Sequence, residues 1–104
     1  METLKYRFEN GRVRVAPRAD LVGVVSSGNL EVLIEPLDLG GACEVEVTTA
    51  AHGFGAIWQA VIADFDRRWS LGDVRISIND MGATPAVVSL RLDQAAHSVT
   101  GDQP

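Results

Sequence analysis

The sequence predicts an α+β fold, a two-layer sandwich in which a mostly antiparallel sheet of four to five strands carries two helices on one face. Apolar and polar residues alternate over residues 3–9, 42–49 and 74–79, and a period of two is typical of half-buried strands. Over residues 54–69 the apolar residues recur at helical spacing instead. A chain of 104 residues is long enough for one core but not for two.

At the N-terminus, residues 3–9 are expected to form the first strand. Asn10-Gly11 follows it and is interpreted as a hairpin turn, with residues 12–15 as a short return strand. Residues 17–20 then mark a loop, because Pro and Asp interrupt the pattern.

Two apolar runs in the first half of the chain predict a central β-hairpin. Residues 21–26 and 30–35 flank Gly28-Asn29, a turn signal, because Gly adopts positive φ without steric cost and Asn tolerates it. Apolar residues of the second run share one face. Pro36 is expected to end that strand, since it removes a ladder donor.

The predicted turn places Ser27 at the exposed end of a strand, beside a residue without a side chain. Strand alternation is expected to send Ser26 and Ser27 to opposite faces. No base lies beside Ser27 in the sequence, so its hydroxyl is expected to be presented but not activated. Such a hydroxyl is suited to modification by a partner enzyme. The alternative is that Ser27 is only a turn residue.

Two helices are expected in the second half. Residues 54–69 are predicted to pack on the sheet through Val61 and Phe65. Thr84-Pro85 is typical of a helix start, because Pro is tolerated where no amide donor is needed, and it favours a second helix there. Residues 88–92 also alternate like a strand, which is the alternative for this region.

Composition excludes several functions. The net charge is −5 with nine Lys and Arg, so the chain is a poor ligand for nucleic acid or for an anionic membrane. No apolar stretch approaches the ~18 residues of a membrane span. The single cysteine, Cys43, allows no internal disulfide, which fits a reducing compartment, and we expect a cytoplasmic protein.

No catalytic constellation is visible in the sequence. Cys43 falls on the expected core face of its strand, where a thiol behaves as a small hydrophobe. His52 is expected in a loop or at a helix cap, and no metal-ligand spacing links His52, His97 and Cys43. A backbone nest at residues 82–84 is a candidate for holding an anion at the helix N-terminus.

Two segments resemble a known family. Residues 22–32, Val-Gly-Val-Val-Ser-Ser-Gly-Asn-Leu-Glu-Val, resemble the prosthetic-group attachment segment of the acyl carrier (delta) subunits of bacterial malonate decarboxylases. They are more distantly similar to the acyl carrier (gamma) chains of citrate lyases. Residues 79–85, Asn-Asp-Met-Gly-Ala-Thr-Pro, resemble the C-terminal segment of the malonate decarboxylase carriers. The resemblance covers residues 1–95 and includes the opening residues 1–4, which the citrate lyase chains lack.

In both families a Ser-Gly-Asp sequence carries the modified serine, so the resemblance implies attachment at Ser27, with Gly28 and Asn29 as neighbouring cofactor-binding residues. Asn29 stands where the families have Asp. The implied cofactor is covalently attached 2'-(5''-phosphoribosyl)-3'-dephospho-coenzyme A, which holds acetyl and malonyl thioesters. The implied partners are an acyl-carrier transferase subunit, decarboxylase subunits, a malonyl transferase and a prosthetic-group transferase.

The resemblance implies a carrier without catalytic residues of its own. Residues 1–97 are expected to form one acyl-carrier domain, with residues 1–20 as an N-terminal edge addition and residues 98–104 as a disordered tail. The alternatives are a non-catalytic interaction or regulatory module, the carrier chain of a citrate lyase-like complex, and a small enzyme using Cys43. The N-terminal strand and residues 82–85 favour the malonate system.

Overall fold

The alternating segments build a five-stranded sheet, and the two helical segments pack on one of its faces. The computed structural model describes residues 1–16 and 23–100, and only the backbone of Ser27. The elements in chain order are β1 (Glu2–Phe8), β2 (Val13–Arg14), β3 (Gly23–Ser27), β4 (Leu30–Pro36), β5 (Cys43–Thr49), α1 (Gly55–Trp69), β6 (Leu71–Gly72), β7 (Val74–Asp80) and α2 (Pro85–Thr100).

The main sheet has the strand order β1-β5-β7-β4-β3. Neighbouring strands pair antiparallel except β5 and β7, which pair in parallel. Parallel pairing requires a long crossover, and α1 lies between these two strands in the chain. The arrangement confirms the predicted α+β class and the mostly antiparallel sheet. Neither helix is long and apolar enough to cross a membrane over the part of the chain that the structure describes.

The hydrophobic core lies between the helices and the inner face of the three central strands. Alternate residues of β4, β5 and β7 are buried, as the period of two predicts. The second helix is confirmed, and it buries small and branched residues on the same face. The core residues from the helices are Trp58, Ile62, Phe65, Trp69, Val88, Leu92, Ala95, Ala96 and Val99.

Helix α1 buries a narrower stripe than its apolar residues suggest. Phe65 is 1% exposed, which confirms its predicted core position, whereas Val61 is only half-buried. Phe54 and Ile57 are exposed although they share the helical spacing. His52 lies in the loop before the helix, and Phe54 occupies the N-cap position without a capping hydrogen bond from its side chain.

The prediction of a hairpin at Asn10-Gly11 is wrong. β2 does not return along β1 but pairs in parallel with β6. The Gly11 amide donates to the Gly41 carbonyl at 2.9 Å, and a Cβ on Gly11 would overlap the Leu71 carbonyl oxygen. Glycine is therefore required at this position because the backbone packs closely against β6, and not because the chain makes a tight turn. The loop expected at residues 17–20 lies outside the described residues.

Helix α2 extends further than expected. It begins at Pro85 as predicted and continues through Thr100, so the tail expected from residue 98 is wrong for its first three positions. The reason is packing, because Val99 is buried against the core. Residues 101–104 lie outside the described part of the chain, as do residues 21 and 22 of the predicted hairpin.

We expect Phe65→Ala to lower the free energy of unfolding by ~3–5 kcal/mol, the range for truncating a buried aromatic side chain. A urea titration followed by circular dichroism measures this. Leu90→Ala is the matched control, because Leu90 is half exposed on α2 and should change stability by ~0.5 kcal/mol or less. A loss below ~1 kcal/mol for Phe65→Ala would contradict the core described here.

Candidate functional site

The hairpin of β3 and β4 confirms the predicted position of Ser27 in the backbone. Ser27 pairs in register with Leu30, and Gly28-Asn29 forms the two-residue turn between them. β3 lies at an edge of the sheet. Ser26, Gly28 and Asn29 are all exposed. The predicted direction of the Ser27 side chain, opposite to that of Ser26, falls outside the described atoms.

Gly28 does not adopt the conformation that the turn signal predicts. Its φ lies outside the left-handed range, and so does that of Asn29, so positive φ is not the reason for Gly at this position. Among the described residues, a Cβ placed on Gly28 would meet no atom within 4 Å. Neither the backbone nor the packing of residues 1–16 and 23–100 therefore requires glycine here. The missing side chain instead leaves open space beside the end of β3.

The structure brings the two segments of the family resemblance together. Ser27, Leu30, Asp80 and Thr49 occupy successive register positions across β3, β4, β7 and β5. At the usual strand spacing, Ser27 and Asp80 lie two strands, or about 10 Å, apart in the backbone. The Met81 amide donates to the Asn29 carbonyl at 2.8 Å. The turn after Ser27 and the loop after β7 thus form one end of the molecule.

Asp80 is a buried carboxylate that organises this end, and sequence reasoning missed its role. Only 3% of the residue is exposed. Its Oδ2 accepts a hydrogen bond from the Thr49 hydroxyl at 2.8 Å. Its Oδ1 accepts bonds from the amides of Gly82 at 3.1 Å and Ala83 at 2.8 Å. An Asp at a strand end with Gly two residues later is a signal for such a side-chain-to-backbone turn.

The hypothesis of an anion-holding nest at residues 82–84 is corrected by these bonds. The amides of Gly82 and Ala83 do converge, but the carboxylate of Asp80 already occupies them. The Thr84 hydroxyl accepts a bond from the Val87 amide at 3.3 Å, which confirms Thr84 as the cap of α2. The nest is therefore an internal support for the start of this helix.

Bonds donated by the next two residues after Thr49 extend the same support to the other helix. The Thr49 hydroxyl oxygen accepts a bond from the Ala51 amide at 3.2 Å, and the Ala50 amide donates to the Asp80 carbonyl at 2.9 Å. These bonds fix the loop that leads from β5 into α1. The ends of β5 and β7 and the starts of both helices are thus tied to one pair of buried polar residues.

Between the first turns of α1 and α2 lies an apolar groove of about 280 Å³. Phe54 and Ile57 on its rim are 48% and 46% exposed, and Met81, next in sequence to two lining residues, is 62% exposed. The residues that line the groove are Ala51, Phe54, Ile57, Trp58, Val61, Asp80, Gly82, Ala83, Pro85 and Val88. Asp80 thus lines the groove, and its backbone pairs with Leu30 of β4.

The remaining candidates from the sequence stand apart from this end. Cys43 is buried at the start of β5, and burial raises the pKa of its thiol to about 12, with Asp66 and Glu44 adding to the shift. A thiol with that pKa stays protonated near neutrality and is a poor nucleophile. The His97 ring packs edge-on against the Trp69 ring, with 4.8 Å between the ring centroids. Within the described ranges, no three His, Cys, Asp or Glu residues are placed to share a metal ion.

We expect Asp80→Ala to lower the free energy of unfolding by at least ~2 kcal/mol, because the Thr49 hydroxyl and two loop amides would lose a charged acceptor. Asp80→Asn keeps one acceptor oxygen, so its free energy of unfolding should lie between those of the wild type and Asp80→Ala. Asp38→Ala is the control, since its carboxylate is exposed and accepts a long bond of 3.5 Å from the Gly40 amide. Equal urea midpoints for the Asp80 and Asp38 variants would show that Asp80 does not support this end.

Known proteins resemble this chain in sequence over nearly its whole length. Residues 18–99 match the family model described as Malonate decarboxylase delta subunit (MdcD). A malonate decarboxylase acyl carrier protein of Stenotrophomonas maltophilia (strain K279a) is 62% identical, covering 100% of this chain and 99% of the relative. The protein of that name from Xanthomonas campestris pv. campestris (strain B100) is 65% identical, covering 97% of each.

A solved structure also resembles this fold. One chain of a Pseudomonas malonate decarboxylase hetero-tetramer, crystallised in complex with malonate, superposes with a TM-score of 0.74 at 33% identity. The match covers 95% of this chain and 99% of that one. Sequence and structure therefore agree that the chain belongs to the family of malonate decarboxylase delta subunits, which are named as acyl carrier proteins and not as catalytic subunits.

Proposed function

We propose that this acyl carrier subunit of malonate decarboxylase holds its acyl groups on a 2'-(5''-phosphoribosyl)-3'-dephospho-coenzyme A arm, joined to Ser27 by a phosphodiester. The observation that supports Ser27 is its place at the end of an edge strand, directly before an exposed turn with open space at Gly28. When attached, the arm supplies a thiol for acetyl and malonyl thioesters, and a thioester stabilises the carbanion left by decarboxylation better than a free carboxylate does.

The residues around Ser27 fit an attachment that another enzyme performs. Its neighbours Ser26, Gly28 and Asn29 bear no group that takes up a proton near neutral pH. In this proposal, the base that removes the proton from the Ser27 hydroxyl comes from the prosthetic-group transferase. As the oxygen–phosphorus bond forms, the bond from phosphorus to its leaving group breaks.

Gly28 and Asn29 have different tasks in this proposal. Gly28 leaves room for the transferase to approach, because nothing in the described part of the chain fills the space where a side chain would lie. Asn29 holds the turn in place through its carbonyl, which accepts the bond from Met81. The chain itself thus contributes position and high local concentration, and the chemistry belongs to its partners.

The partners proposed for the chain are the transferase subunit, the decarboxylase subunits, a malonyl transferase and the prosthetic-group transferase, all in the cytoplasm. Membership in a family named for malonate decarboxylase supports this set over a citrate lyase-like complex. The structural neighbour is itself part of a hetero-tetramer. Residues 1–97 act as one carrier domain in this proposal.

Mass spectrometry tests which residue carries the arm. We expect intact-protein and peptide mass spectrometry, on chain co-expressed with its modifying enzymes, to find the increment on the peptide containing Ser27. Ser27→Ala should abolish the increment and the activity of the assembly. Ser26→Ala, at the exposed neighbouring hydroxyl, should keep both. An increment that maps to Ser26, or that survives Ser27→Ala, would overturn the assignment.

The space at Gly28 gives a second test. Gly28→Ala should leave the free energy of unfolding unchanged or raise it by up to ~1 kcal/mol, since the alanine is unstrained in the native chain and restricts the unfolded one. The rate of modification by the transferase should nevertheless fall, because the methyl group occupies the approach to Ser27. A variant modified at the wild-type rate would show that the open space has no part in recognition.

A further inference from the structure

We propose that the apolar groove between the first turns of α1 and α2 is the resting site of the acetyl thioester when the chain is not docked to a partner. This inference rests on the proposed attachment at Ser27. It assigns the groove a ligand class, a small neutral acyl thioester at the end of a tethered arm. It also makes the groove selective between the two acyl groups that the arm carries.

The position of the groove relative to Ser27 is the first support. Asp80 lines the groove and pairs with Leu30, which in turn pairs with Ser27. Two strand spacings, about 10 Å, separate Ser27 from the groove wall, and an extended coenzyme A arm is longer than that. The bond from Met81 to the Asn29 carbonyl fixes the turn against the same loop. A tethered ligand at this range has a high effective concentration at the groove.

The chemistry of the lining is the second support. Its side chains are aliphatic or aromatic except for Asp80, whose two oxygens already accept three hydrogen bonds. The volume of about 280 Å³ is close to the lower end of small-molecule pockets, roughly 300 Å³. The groove therefore suits the thioester end of the arm and is too small for its nucleotide portion.

The same lining disfavours the malonyl form. A carboxylate that enters an apolar site loses its hydration and needs a cation to compensate. The described lining residues include no Lys or Arg, and Asp80 carries the same charge sign as malonate. The acetyl thioester left after decarboxylation is neutral. The groove should therefore shelter acetyl from water and leave malonyl outside, where a decarboxylase subunit can reach it.

Cleavage by hydroxylamine measures this sheltering. The chain carrying the arm is loaded with acetyl or with malonyl, and loss of the acyl group is followed by mass on the Ser27 peptide. We expect the acetyl form to be cleaved several-fold more slowly than free acetyl-coenzyme A. The malonyl form should be cleaved at the rate of free malonyl-coenzyme A.

Variants of the groove rim test whether the groove is what slows cleavage of the acetyl thioester. Phe54→Ala with Ile57→Ala should raise the acetyl cleavage rate towards that of the free thioester and leave the malonyl rate unchanged, and both positions are exposed enough for the fold to persist. Leu37→Ala with Leu90→Ala, at comparably exposed apolar positions outside the groove, is the matched control.

Tryptophan emission is a second measurement of occupancy, because Trp58 lines the groove. The emission should differ between the unmodified and the acetyl-loaded chain, and Trp58→Phe should remove that difference.

Each contrary outcome overturns a different statement. Acetyl cleavage at the free rate on a chain whose arm maps to Ser27 would overturn the groove proposal and leave the attachment intact. Rim variants that leave cleavage unchanged but weaken binding to the decarboxylase subunits would make the groove a protein-docking surface, which also overturns it. An arm that maps to another residue would overturn the proposed function together with this inference.

Discussion

The buried carboxylate of Asp80 is the constraint on which the functional end of this molecule depends. Removing a charge from water is costly, and the cost is offset only where strong hydrogen bonds replace the lost hydration. Asp80 has three such bonds, from β5 and from the loop in front of α2. Satisfying one buried group therefore fixes the ends of two strands and the start of a helix. The turn after Ser27 gains its position from the same loop, through Met81.

A carrier needs little reactivity of its own, and the described side chains are consistent with that. The thiol of Cys43 is buried and protonated. The backbone amides that converge near α2 are held by Asp80. What this end offers to other molecules is shape: an exposed turn, a glycine with open space beside it among the described residues, and a groove with an apolar lining. Those features suit a chain that is handled by enzymes rather than one that acts on substrates.

Sequence patterns predict the helices and strands better than they predict which strands pair with each other. The strands followed from alternation and α1 from its helical period, because burial of one face is a local, repeating signal. The dipeptide signal gives the right position for the turn at Gly28-Asn29, although neither residue adopts the positive φ on which the signal rests. It fails at Asn10-Gly11, because the close approach of Gly11 to Leu71 is set by residues distant in sequence. The loop at residues 82–84 was predicted to hold an anion. Asp80 fills it instead, and although its spacing to Gly82 is a local signal for such a turn, the bond to the buried Thr49 depends on a strand distant in sequence.

The placement of β1 gives the N-terminal segment a protective role. The family model begins at residue 18, yet β1 pairs with β5 along all seven of its residues and packs Leu4, Tyr6 and Phe8 against the core. Without it, β5 would become an edge strand with a row of unpaired backbone groups, flanked by apolar side chains. Such edges invite pairing with strands of other molecules. A segment outside the matched family region thus keeps an interior strand from becoming a site of aggregation.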